Sequence, residues 1–236
     1  MFRLDTLKEK VIVITGGSRG IGLASAKLFH ELGATVVLGS RSIKQHPPLN
    51  GENVYAMNID VANEEDVIRF VEETVKVAGV PDILINAAGV GTFTNVLELE
   101  SQDFNEMIDV NLKGTFYCCK YFAKKMLTKQ SGQIINIVSI AGKEAIPGCA
   151  GYSASKFGVL GLTKVLQAEL RTQGIQVTAL LPGAVRSTFW DGMEQTPDVS
   201  KMIPVEVLAQ HIVYLAAQPR EASIDEITIM PPLGIL

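Results

Sequence analysis

Tyr152 and Lys156 stand four residues apart in the run Gly151-Tyr152-Ser153-Ala154-Ser155-Lys156. On a helix, that spacing brings a phenol and an amine onto one face. A free phenol titrates near ~10 and a lysine near ~10.4, so only a fixed positive field makes the phenol's proton labile near neutrality. The pair is a candidate acid/base device, although an ordinary amphipathic surface produces the same spacing. Ser139 ends an apolar run thirteen positions earlier. A hydroxyl there can hold a carbonyl oxygen toward the phenol.

A second group of residues suits a phosphate. The first β-rich run leads directly into Thr15-Gly16-Gly17-Ser18-Arg19-Gly20-Ile21-Gly22 and then a helical pattern. Glycines at a strand-to-helix turn let backbone approach a pyrophosphate, and the free amides opening the helix neutralise it. A glycine-rich turn alone could be only a tight connection, but its place between strand and helix makes Gly16, Ser18, Arg19, Gly20, Ile21 and Gly22 expected dinucleotide contacts, in the spacing G-x-x-x-G-x-G. The second run ends Gly39-Ser40-Arg41, with no acid to accept ribose hydroxyls. Ser40, Arg41 and Arg19 thus favour NADP over NAD, unless Arg41 merely caps the strand end in solvent. Asp60-Val61 stands level with an adenine edge, or else Asp60 opens the next helix. Asn86-Ala87-Ala88-Gly89 follows the fourth run, where Ala87 and Gly89 permit close approach to the cofactor and Asn86 supports the pocket.

These residues need a scaffold that brings strand ends together. β-rich runs at 11–15, 35–38, 54–58, 83–85, 133–138, 176–181 and 226–230 alternate with helical patterns at 20–32, 64–78, 101–127, 152–172 and 205–217. That alternation predicts a single α/β domain over 1–236, a doubly wound parallel sheet with helices on both faces. Between the second and third strands, Pro47 and Pro48 leave room for only a loop or a single turn. Asn111 falls in the middle of the long fourth-crossover helix, where a kink with a bound water or a surface position would explain a poor helix former.

Composition narrows the partners. The 236 residues carry a net charge of −4 with scattered basic side chains, against a nucleic-acid or anionic-membrane surface. No apolar run approaches the ~20 residues of a membrane span. The opening Met1-Phe2-Arg3-Leu4-Asp5 lacks the apolar core of a secretory signal, so a cytoplasmic setting is expected. Three cysteines cannot all pair within the chain; Cys118 and Cys119 read as small apolar fillers, and Cys149 has no base beside it. His30, His46 and His211 form no ligand spacing, so no metal is expected.

With Thr15-Gly16-x3-Gly20-Ile21-Gly22, Asn86-Ala87-Ala88-Gly89, Asn111, Ser139, Tyr152-Ser153-Ala154-Ser155-Lys156 and Pro182-Gly183 in this order, the chain resembles the classical short-chain dehydrogenases/reductases over nearly its whole length. The resemblance implies a Rossmann-type seven-stranded parallel sheet that binds NAD(H) or NADP(H), and hydride transfer between that cofactor and a ketone or secondary alcohol. Its four catalytic roles fall on Asn111, Ser139, Tyr152 and Lys156. Tyr152 would exchange the proton, Lys156 would hold the nicotinamide ribose and lower the Tyr152 pKa, and Asn111 would retain a relay water. Pro182, Gly183, Val185 and Thr188 match the family segment against the carboxamide. The resemblance also makes residues 189–203 a substrate lid, whose Phe189, Trp190, Met193 and Met202 either wall the substrate or pack in the core. It implies an even-numbered homo-oligomer, a dimer or tetramer, through the helices of Asn111 and Tyr152. Departures are the short second crossover, the compact lid and a C-terminal segment without the frequent glycine-rich motif. An acyl carrier protein is a candidate partner if the substrate is a 3-oxoacyl group, with Lys124, Lys125 and Lys129 as a basic patch or simply a solvated face. The remaining alternative is an idle cofactor sensor.

Overall fold

The computed structural model describes residues 4–45, 47–193 and 196–236; Met1, Phe2 and Arg3 of the N-terminal reading, His46, and Glu194 and Gln195 of the expected lid lie outside them. Seven parallel strands form one sheet in the order β3-β2-β1-β4-β5-β6-β9. They are β1 Val11–Thr15, β2 Thr35–Ser40, β3 Val54–Asn58, β4 Ile83–Asn86, β5 Gly132–Ile137, β6 Ile175–Pro182 and β9 Glu226–Ile229. Two-residue strands β7 Val185–Arg186 and β8 Ile203–Pro204 pair with each other outside the sheet. The predicted seven-stranded, doubly wound Rossmann-type sheet is the fold observed.

Strand parity decides which helix each side chain meets. Ile12 and Ile14 of β1, Val36 and Leu38 of β2, and Ile83 and Ile85 of β4 pack in a cluster with α1 Gly20–Glu31 and α6 Val205–Ala216. Their neighbours Val13, Val37 and Leu84 point the other way, into a cluster with α2 Glu64–Ala78 and α4 Gly114–Leu127. Because successive side chains alternate between faces, strands covered on both sides read as unbroken apolar runs.

The expected single helix over 101–127 is three pieces. α3 Ser101–Met107 passes into a π-helical stretch, Ile108–Lys113, before α4 begins. Gly114 closes the stretch where a Cβ would lie 2.8 Å from Val61. The wider π turn carries Asn111, whose side chain faces inward. After β5 comes α5 Ala150–Leu170, which carries Tyr152 and Lys156. Among its described residues the short crossover after β2 holds turns and bends and no helix, as the two prolines predict.

Candidate active site

The strand ends are in register: Gly39, Thr15, Asn86 and Asn136 form one row across β2, β1, β4 and β5. Above that row lies a cleft of about 840 Å³, over the ends of β1 and β4, where the winding of the sheet reverses. Open parallel sheets bind ligands at that point.

The glycine turn makes one wall. Gly16 has φ +70°, and a Cβ there would lie 2.7 Å from the Ala87 carbonyl oxygen and the Ala88 amide nitrogen. A Cβ on Gly22 would collide with the Gly16 carbonyl oxygen. No side chain caps the first amides of α1, and its first turn holds no acid. Those donors and the positive end of the helix dipole fit a pyrophosphate. Ser18, Arg19, Gly20 and Ile21 line this wall, and Ser40, Arg41, Asp60 and Val61 line the cleft beside it. Arg41 is exposed, with Nη1 a loose 4.0 Å from Glu106 Oε1. Asp60 Oδ1 accepts from the Ala62 amide at 3.0 Å, while Asn63 caps α2, so Asp60 shapes the entry to that helix as well as lining the cleft.

Two expected site residues do not reach the cleft. Asn86 is buried beneath the floor, where Nδ2 donates to Asn136 Oδ1 at 2.8 Å and to Cys119 Sγ at 3.3 Å. It ties β4 to β5 and does not line the cleft. Asn111 is fully buried; its Oδ1 accepts from the Val90 amide at 2.8 Å, and Nδ2 donates to the Val90 carbonyl at 2.9 Å and to Ser155 Oγ at 3.0 Å. Ser155 Oγ donates in turn to the Tyr152 carbonyl at 2.7 Å. Asn111 therefore joins the loop after β4 to the helix that carries the phenol.

Ser139, Tyr152 and Lys156 converge in the cleft. Ser139 Oγ accepts from the Ala141 amide at 3.1 Å, which anchors the hydroxyl that hydrogen-bonds Tyr152. Lys156 Nζ donates to the Ile137 carbonyl at 2.9 Å and lies 5.6 Å from the centroid of the Tyr152 ring. The expected depression of the phenol is not what the protein alone produces. Burial pushes Tyr152 up to about 12, against the opposing hydrogen bond from Ser139. Burial also lowers Lys156 to about 8, so its positive field weakens as pH rises through that value. Cys149 lines the cleft too, but burial raises its thiol above the usual range, which disfavours the thiolate.

Sequence reasoning missed Phe93. Its ring lies 5.4 Å from Tyr152, 6.0 Å from Phe189 and 5.5 Å from Trp190, stacked on the last. A lone aromatic just beyond the Asn86 to Gly89 run, at the carboxyl edge, was the available signal. The residues of the expected lid divide: Phe189 and Trp190 line the cleft, whereas Met202 is buried away from it and Met193 does not line it. Pro182, Gly183, Val185 and Thr188 border the cleft, as do Ala87 and Gly89.

The profile of the short chain dehydrogenase family matches residues 10–198. An uncharacterized oxidoreductase of Staphylococcus aureus (strain USA300) is 35% identical over 97% of this chain and 100% of its own length. A 3-oxoacyl-[acyl-carrier-protein] reductase of Synechocystis sp. is 34% identical over 94% of each chain. The solved structure of ElxO with NADP bound superposes with a TM-score of 0.86 at 30% identity, covering 94% of this chain and 98% of that one. The chain belongs to the short chain dehydrogenase family and is an oxidoreductase of that family, with a cleft built for a nicotinamide cofactor.

Proposed function

We propose that the protein is an NADP(H)-dependent reductase interconverting a ketone and a secondary alcohol. The observation that carries this reading is the meeting of Ser139, Tyr152 and Lys156 in the cleft that the glycine turn opens. When bound, the nicotinamide supplies or accepts the hydride. Tyr152, held protonated by burial, gives its proton to the carbonyl oxygen during reduction. Ser139 donates a hydrogen bond to that oxygen and polarises it. Lys156 holds the ribose hydroxyls and, with a proton affinity lowered toward neutrality, restores the proton that Tyr152 loses. Arg19 and Arg41 support the phosphorylated cofactor: both are exposed at the adenosine end, and the loose Glu106 contact leaves Arg41 free to turn toward a phosphate.

The test is NADPH consumption with a panel of ketones. Tyr152→Phe should lower kcat by about 10²–10⁴-fold while NADPH binding is kept. Undiminished turnover in the variant would remove the phenol from the reaction, and cofactor binding with no turnover of any ketone would favour the idle sensor.

An acyl carrier protein finds little support as a partner. Lys124 and Lys125 stand in the last turn of α4 and Lys129 in the turn that follows, which returns the chain to the start of β5, at the edge of the sheet opposite the cleft. Lys129 is also committed to Asp82 at 2.9 Å. We extend the proposal to a cytoplasmic homodimer or homotetramer paired through α4 and α5. Leu112 packs where Gly158 lacks a side chain, and nearby Phe116, Phe157 and Val165 remain 41%, 47% and 52% exposed. Among the described residues, no helix is long and apolar enough to cross a membrane.

A further inference from the structure

The side chains at the end of the cleft beyond Tyr152 are aromatic and apolar. Phe93 stands between the catalytic phenol and the lid, edge-on to Tyr152 at 5.4 Å and stacked on Trp190 at 5.5 Å with 24° between the planes. Phe189 lies 5.8 Å from Tyr152 and perpendicular to Trp190. This arrangement is fixed at three points. At the base of the lid, Trp190 Nε1 donates to the Val185 carbonyl oxygen at 2.8 Å. The Phe93 loop is stitched to the segment before α5, with the Thr94 amide donating to the Gly148 carbonyl at 2.9 Å. A Cβ on Gly91 would lie 2.7 Å from Phe189, 3.1 Å from Phe93 and 3.3 Å from Tyr152, so this glycine makes room for all three rings.

Charge is distributed in the complementary way. Among the described residues lining the cleft, the charged side chains are Arg19, Arg41 and Asp60, at the phosphate and adenosine end, and Lys156 behind the phenol. Around the rings the lining continues with Ile146, Pro147 and Cys149. A substrate carboxylate or phosphate placed there would lose its water without gaining a partner. A flat ring would gain offset and edge contacts in addition to burial.

We propose that this end of the cleft selects an uncharged ketone bearing a flat apolar substituent, an aryl ketone, seated against Phe93 and Phe189 with its carbonyl at Tyr152 and Ser139. The proposal rests on the reductase reading of the same cleft. The chain's only tryptophan, Trp190, provides a readout independent of turnover. With NADP⁺ present, acetophenone should change Trp190 emission saturably, and 4-acetylbenzoate should bind at least about tenfold more weakly. In NADPH consumption, kcat/KM for acetophenone should exceed that for 4-acetylbenzoate by about tenfold or more. Phe93→Ala should lower the acetophenone-to-butanone ratio of kcat/KM by about three- to tenfold. Should Phe93→Ala not fold, Phe93→Leu keeps an apolar side chain without the ring and should lower the same ratio.

Equal binding of the charged analogue, an unchanged ratio without the ring, or unmoved Trp190 emission would overturn the proposal. Turnover that favours charged ketones would overturn it while leaving the reductase reading intact. Saturable binding of acetophenone with no turnover of any ketone would sink the reductase reading and keep the aryl site.

Discussion

Burial acts in opposite senses on Tyr152 and Lys156, in each case against the charged form. It holds the phenol protonated, with Tyr152 near 12, and lowers Lys156 from 10.5 to about 8. The lysine shift has a consequence for stability. Between about 8 and 10.5 the unfolded chain binds more protons than the folded one, so stability rises with pH across that window. The contribution is complete above 10.5 and lost as pH falls through about 8. Lys156→Met should therefore melt higher than the parent at pH near ~7, with a smaller advantage near ~10.5; equal differences at the two pH values would mean that the bond to Ile137 dominates. Arg41→Ala should weaken NADPH about tenfold or more and NADH much less, measured by titration of each cofactor. Equal loss would move the phosphate contact elsewhere. The Tyr152 to Lys156 spacing was readable because helical periodicity alone fixes it. Phe93 was not, since its partners Tyr152, Phe189 and Trp190 are distant in sequence and meet only when loops close over the sheet.

Strands and helices hold the floor of the site from the far edge of the sheet as well as from the cleft. At the amino edge, Asp82 accepts from the Val11 amide at 2.9 Å and pairs with Lys129 at 2.9 Å and Lys10 at 3.3 Å. Burial works to raise its carboxyl, but the Val11 amide and the two ammonium groups together hold it below 3.8. That stability is present above 3.8 and lost as pH falls through the lower folded value. Asp82→Asn should cost about 1–3 kcal/mol at neutral pH, seen as a lower melting temperature, and the gap to the parent should narrow in acid. Strand positions were legible from their apolar runs, because both faces are covered. The break between α3 and α4 was visible only as a misplaced asparagine. A π turn leaves no period of its own in six residues, and what sustains it is the reach of Asn111 to Val90 and Ser155, contacts that no local pattern encodes.

At the scale of the whole molecule, the sheet buries one apolar set against α1 and α6 and another against α2 and α4, so the helices on its faces are not free to shift independently of the strands. The exposed Phe157 should then belong to a contact between copies. Phe157→Glu should shift the solution mass measured by light scattering toward a monomer, without loss of secondary structure; an unchanged mass would exclude this face. The doubly wound order was legible because alternating elements admit few other topologies. The pairing of β7 with β8 was not, since two-residue strands leave no periodic trace. That small pairing has its own consequence. Val185 opposite Ile203 and Arg186 opposite Pro204 fasten both ends of the intervening segment to one place. With its ends fastened, doubling the segment's length costs only about 0.6 kcal/mol in closure entropy. The segment can therefore be lengthened beyond Trp190, while Thr188, Phe189 and Trp190, which line the cleft, keep their places beside Tyr152.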